Sequence, residues 1–124
     1  MIVISKHAAS AATDAVCELL DGGSVKIFNG AGVLLAEPRF EKRAFKVAID
    51  GLAESYQIED EDNAIASGMA TKFTACDPAG DTVFSGLISC GDEIAIGDMR
   101  MDSPHIAAGG RVKVDRITFS FHGE

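Results

Sequence analysis

Leu19-Leu20-Asp21-Gly22-Gly23-Ser24-Val25-Lys26-Ile27-Phe28-Asn29-Gly30 is the stretch in which the spacing of apolar residues changes, and that change decides the fold. Upstream of it, Ala9, Ala12, Val16, Leu19 and Leu20 fall on one face at helical spacing. Ser5 is an N-cap residue and Gly22-Gly23 supplies the left-handed stop, so the pattern predicts a helix over about 5–21. Downstream, Val25 and Ile27 alternate with Ser24 and Lys26, which is the period of a strand. Asn29-Gly30-Ala31-Gly32 then turns the chain into a return strand over 33–36, stopped at Glu37-Pro38 because proline cannot donate to a ladder.

The period of two continues outward. A third strand is predicted over 43–49, with Phe45, Val47 and Ile49 on one side and Gly51 ending it, and a further one over 52–58. Met69, Thr71, Phe73 and Ala75 alternate with Ala70, Lys72, Thr74 and Cys76, and Asp77-Pro78-Ala79-Gly80 joins that strand to one over 82–89. Two parity switches follow. Ile94 and Ile96 are even where Met99 and Met101 are odd; Val112 and Val114 are even where Ile117, Phe119 and Phe121 are odd. A one-residue slip sends every side chain to the opposite face, so bends are predicted near Gly97 and near Asp115-Arg116. The pattern predicts a mostly β chain, an antiparallel β-sandwich or jelly roll over about 24–122 with one N-terminal helix, as a single domain spanning 1–124.

Composition narrows the function classes. The chain has 124 residues, 47% of them hydrophobic, which suits one domain with a buried core. Its 19 acidic residues against 11 basic ones give a formal charge of −8, so a partner held through phosphates is not expected, and neither is nucleic acid. No apolar run reaches the roughly 18 residues of a membrane span, and residues 1–6 lack the pattern of a secretory signal, so synthesis and retention in a cytoplasm are expected. Cys17, Cys76 and Cys90 show no paired spacing and read as reduced thiols.

No motif asks for catalysis. Gly30-x-Gly32 lacks the third glycine of a dinucleotide loop and reads as a turn. The run Glu59-Asp60-Glu61-Asp62 lacks the glycine and distal glutamate of a calcium loop and reads as solvated. His7, His105 and His122 are too far apart to form a ligand pair by spacing, and no Gly-x-Ser-x-Gly elbow occurs. With no Trp and one Tyr, Tyr56, the aromatic platform of a sugar-binding module is poorly supplied. No enzymatic activity, metal or cofactor is expected.

One segment stands out as a contact candidate. Ile2-Val3-Ile4 places three β-branched residues at a chain end, a position suited to pairing either within its own sheet or with a neighbour's sheet edge.

The order of features resembles a family of small proteins of tailed-phage virions. The pieces are an Ala-rich helix ending Leu-Leu-Asp-Gly-Gly23, then Ser24 to Gly30, Leu34 to Glu37, Ala79 to Gly86, and Ile106 to Val114 followed by Ile117-Thr118-Phe119. The resemblance implies a jelly-roll or sandwich protein of the virion, made in the host bacterial cytoplasm, that binds an assembled capsid as cement or decoration. Its implied partners are the major capsid protein and further copies of itself. A tail or head-tail connector subunit is the alternative within that setting, and a sugar- or small-molecule-binding module the alternative outside it.

Overall fold

The computed structural model describes residues 2–90, 99–101 and 103–120. The chain is mostly β with one N-terminal helix. The expected bend near Gly97 with Ile94 and Ile96, and the positions of Phe121 and His122, lie outside the described residues, as does the side chain of Cys90.

The helix α1 spans Lys6–Glu18. Ser5 caps it in extended conformation, its hydroxyl accepting from the Ala8 amide at 3.1 Å. Leu19 closes the last turn, and Gly22 at φ +73° turns the chain away. Ala9 and Leu20 are buried as expected, but Thr13 and Cys17 complete the buried stripe in place of the half-buried Ala12 and Val16 and the exposed Leu19. The stripe is rotated because Thr13 is drawn inward: its hydroxyl donates to the Gly51 carbonyl at 2.7 Å in a fully buried bond.

The strands are β1 (Ser24–Phe28), β2 (Leu34–Ala36), β3 (Leu52–Glu54), β4 (Gly68–Met69), β5 (Lys72–Cys76), β6 (Thr82–Cys90), β7 (Met99–Met101), β8 (His105–Ile106) and β9 (Arg116–Ser120). Seven of them form one sheet in the order β2-β1-β5-β6-β7-β9-β3, and β4 pairs with β8 apart from it. The sheet is mixed where the sequence predicts antiparallel pairing throughout, because β6 and β7 run parallel, with Ile88 opposite Met99.

Both expected hairpins form, and the same device closes each. In the β1-β2 turn the Asn29 side chain accepts from Ala31 and Val33 amides at 3.0 and 2.9 Å; in the β5-β6 turn Asp77 accepts from Ala79 and Asp81 at 3.0 and 2.9 Å. Val25 and Ile27 of β1 face inward opposite Ala75 and Phe73 of β5, so the alternation read from the sequence fixes the register.

Two expected strands are revised. Residues 43–49 make only isolated bridges, Phe45 to Ser55 and Ile49 to Leu52, and Val47 and Ile49 are exposed. The Ala44 and Ala48 amides go instead to the carboxylates of Asp21 and Asp14, each at 2.8 Å, so a ladder is replaced by helix side chains. The alternation over 69–76 is split: Gly68–Met69 joins β8, and Ala70 donates to Pro104 before β5 begins. The parity switch at Asp115-Arg116 does coincide with an interruption, since Val112 bridges Glu61 whereas β9 begins only at Arg116.

The first half of β6 pairs with β5 and its last three residues with β7, so one strand serves both halves of the sheet. Phe84 of β6 stacks on Phe119 of β9 at 4.6 Å and meets Phe45 and Phe73 edge-on at 6.5 and 6.4 Å. The Phe84-Phe119 contact, made across the intervening β7, requires the sheet to curl over its buried cluster of Val25, Ile27, Leu35, Phe73, Met99 and Ile117.

Gly23 marks the tightest approach. A Cβ there would lie 2.0 Å from the Cys76 carbonyl oxygen and 3.0 Å from that of Leu20, whereas one at Gly30 would meet nothing within 4 Å. Gly23→Ala is therefore expected to lower stability by about 1–3 kcal/mol or more through forced backbone movement, and Gly30→Ala to leave the melting temperature nearly unchanged. Thermal unfolding of both variants checks this, and equal melting temperatures would contradict the close crossing.

Candidate functional site

The segment before the helix pairs with no strand among the described residues. Because Ser5 caps α1, the chain ahead of it departs from the helix, and residues 2–4 belong to no helix or strand. Ile2, Val3 and Ile4 are 93%, 51% and 37% exposed, an arrangement different from a strand paired beneath its own helix. The two outermost strands of the sheet already have their outer sides engaged. The Leu35 carbonyl of β2 accepts from Ile65 at 2.8 Å, and the Glu54 carbonyl of β3 accepts from Lys46 at 2.9 Å.

The loop carrying Val47, Ile49 and Leu52 is held against the helix by polar bonds. Asp50 and Gly51 both have positive φ, +52° and +85°, which makes the tight turn between Ile49 and Leu52. The Gly51 amide donates to Ser10 at 2.9 Å and its carbonyl accepts from Thr13, so the turn rides on the first half of α1. Ile49, Val47 and Leu52 are exposed there, which adds apolar surface beside the helix.

A second feature is a basic groove that sequence reasoning missed. It is lined by Lys46, Glu54, Tyr56, Arg100, Lys113 and Arg116, together with Asp115. Lys46 reaches Glu54 at 3.5 Å and lies 5.9 Å from the Tyr56 ring centre. Arg100 of β7 and Arg116 of β9 stand directly opposite each other on an antiparallel ladder. No local sequence signal joins these residues, because they come from three separate stretches that only the sheet order brings together.

The acidic run beside this groove is more organised than a solvated loop. Glu61 and Val112 exchange two backbone bonds of 3.0 and 2.7 Å, and Arg111 pairs with Asp60 at 2.7 Å and Asp62 at 3.7 Å. Glu59 and Asp62 remain exposed, as expected, while Asp60 is half-buried against the arginine.

The other residues weighed for chemistry are dispersed. His7 and His105 are exposed on α1 and β8, and Cys76 is fully buried at the end of β5. Among the described residues no group of three or more His, Cys, Asp or Glu is placed to hold a metal ion. No helix among them is long and apolar enough to cross a membrane.

Comparison with protein-family models, with characterised proteins and with solved structures found no match for this chain.

Cys17 lies beneath a surface recess lined by Asp14, Glu18, Asp21 and Arg43. Burial, reinforced by the Asp14 and Asp21 carboxylates, pushes its thiol up from 9.0 to about 12. The folded state therefore holds this proton where the unfolded chain releases it, so the stability it contributes is intact below pH 9 and is lost as the pH rises from 9 towards 12. Iodoacetamide at pH 8, followed by peptide mass analysis, is expected to leave Cys17 unmodified in the folded chain and to label it in denaturant. Rapid labelling of the folded protein would contradict its placement.

Proposed function

We propose that this chain works by binding other protein surfaces, as a cement or decoration protein on an assembled capsid shell. The observation that carries the binding part of this reading is the segment 2–4, three β-branched side chains exposed ahead of the helix and outside every strand. Fully burying one Val or Ile side chain contributes about 1.5–3 kcal/mol, so an interface that covers these three has a substantial driving force. An unpaired β-branched segment can add to a neighbouring sheet edge, where main-chain hydrogen bonds give affinity and alternate side chains fill pockets. The exposed Ile49 and Leu52 beside the first half of α1 extend the apolar contact available.

The virion setting rests on the order and spacing of the sequence pieces that resemble phage structural proteins. In that setting the partner is the major capsid protein, a further copy of this chain, or both. The protein has no catalytic step in this reading, and no cofactor, nucleic acid or membrane takes part.

Removing residues 1–5 tests the proposal. The truncated chain is expected to keep the circular dichroism spectrum of a mostly β protein and to unfold cooperatively, because residues 2–4 contribute no strand pairing. It is also expected to lose co-sedimentation with assembled shells. A folded truncation that still decorates shells at full occupancy would overturn the role of this segment.

A further inference from the structure

In a chain with 19 acidic and 11 basic residues, four of the basic ones, Lys46, Arg100, Lys113 and Arg116, line a single groove. Local charge there is opposite in sign to that of the whole molecule. The fold neutralises only part of it, through Lys46 and Glu54. Among the described residues the ion pairs join Lys46 to Glu54 and Arg111 to Asp60 and Asp62, and none involves Arg100, Lys113 or Arg116. Of the groove's two carboxylates, Glu54 is engaged by Lys46.

The placement of the arginines is itself unfavourable to folding. Arg100 and Arg116 face each other directly across the β7-β9 ladder, where like charges destabilise a sheet. Arg100 is half-buried, which limits the screening of that repulsion by water. Both arginines line the groove, and a guanidinium group is a planar fork that can bind a carboxylate in bidentate fashion. Lys113 and Lys46 extend the positive lining, and Tyr56 and Gln57 add uncharged polar groups at the groove.

We propose that this groove is a binding site for a short acidic segment of a partner protein, with Arg100 and Arg116 receiving its carboxylates. A long phosphate polymer fits less well. The acidic run Glu59–Asp62 adjoins the groove through the Glu61-Val112 bridge next to Lys113, and the net charge of −8 repels an extended polyanion beyond it. The site goes beyond the shell-binding reading and lies apart from residues 2–4. It is tested with no shell present, so its failure is distinct from failure of that reading.

The test uses the full chain and a fluorescent polyglutamate peptide, with inorganic polyphosphate and a DNA duplex as competing probes. Arg100→Gln and Arg116→Gln are each expected to weaken peptide binding by about tenfold or more. Lys72→Gln, on the separate strand β5, is expected to leave it unchanged. Arg116→Gln is also expected to raise the melting temperature of the peptide-free protein, since it removes the repulsion across the ladder. A purely structural role for the arginine predicts a fall. Equal losses in Arg116→Gln and Lys72→Gln would reduce the effect to general charge attraction and overturn the site. Tighter binding of polyphosphate or duplex than of polyglutamate would overturn the assignment to carboxylates.

Discussion

A fully buried threonine hydroxyl on the helix meets the carbonyl of a left-handed glycine, and the Thr13-Gly51 bond at 2.7 Å organises much of what surrounds it. A buried hydroxyl without a partner costs about 1–3 kcal/mol, and the Gly51 carbonyl supplies Thr13 with an acceptor. Gly51 is there because Asp50 and Gly51 take the positive φ values of a tight turn. Ser10 and Asp14 then fix the same loop through the Gly51 and Ala48 amides. With the loop fixed, Phe45 is placed 5.9 Å from Phe40 and 6.5 Å from Phe84, and the chain enters β3 at Leu52 in register with β9. Ser55 continues the connection by accepting from the Ile117 amide at 3.0 Å. The helix is thus coupled to the far edge of the sheet by directional polar bonds as well as by apolar packing.

The charge of the molecule is divided between two kinds of work. Several carboxylates serve as acceptors for the chain's own polar groups: Asp14 and Asp21 for loop amides, Asp77 for a hairpin turn, Glu37 for the Ser24 hydroxyl. Part of the acidic excess is therefore structural. The cations are distributed differently, with Arg111 spent on the acidic loop and the group around Arg100 and Arg116 left facing one another. Like charges set opposite each other, with no ion pair to either among the described residues, are the kind of feature that recognition explains better than folding does.

What was legible in the sequence was local. The helix start followed from Ser5 and the two hairpins from Asn29 and Asp77, because caps and turns are decided within a few residues, whereas the helix ends at Glu18, a few residues before the stop expected at Gly22-Gly23. The switch at Asp115-Arg116 was readable for a related reason: a change of parity has to be accommodated within one segment. Residues 43–49 were misread although their alternation is real. The backbone there is satisfied by Asp14 and Asp21, and alternation alone does not reveal whether an amide will find a strand or a side chain. The helix face was rotated by a polar residue that an apolar template counts against burial. The basic groove was invisible because strand adjacency, not sequence, brings β7, β9 and the loop at Lys46 together.

The order of strands in the sheet also has a consequence during synthesis. β3 pairs with β9, so Ala53 finds its partner only after Phe119 has left the ribosome, whereas β1, β2, β5 and β6 can pair as soon as they emerge. Contacts between residues so distant in sequence carry a large loop-closure cost and slow the final step of folding. Until β9 arrives, the first half of the chain holds a helix and a loop whose apolar side, including Phe45 and Ala53, has only part of its covering surface. The nascent segment is therefore exposed to aggregation until β9 has emerged, and it is this strand, not the helix, that ends that exposure.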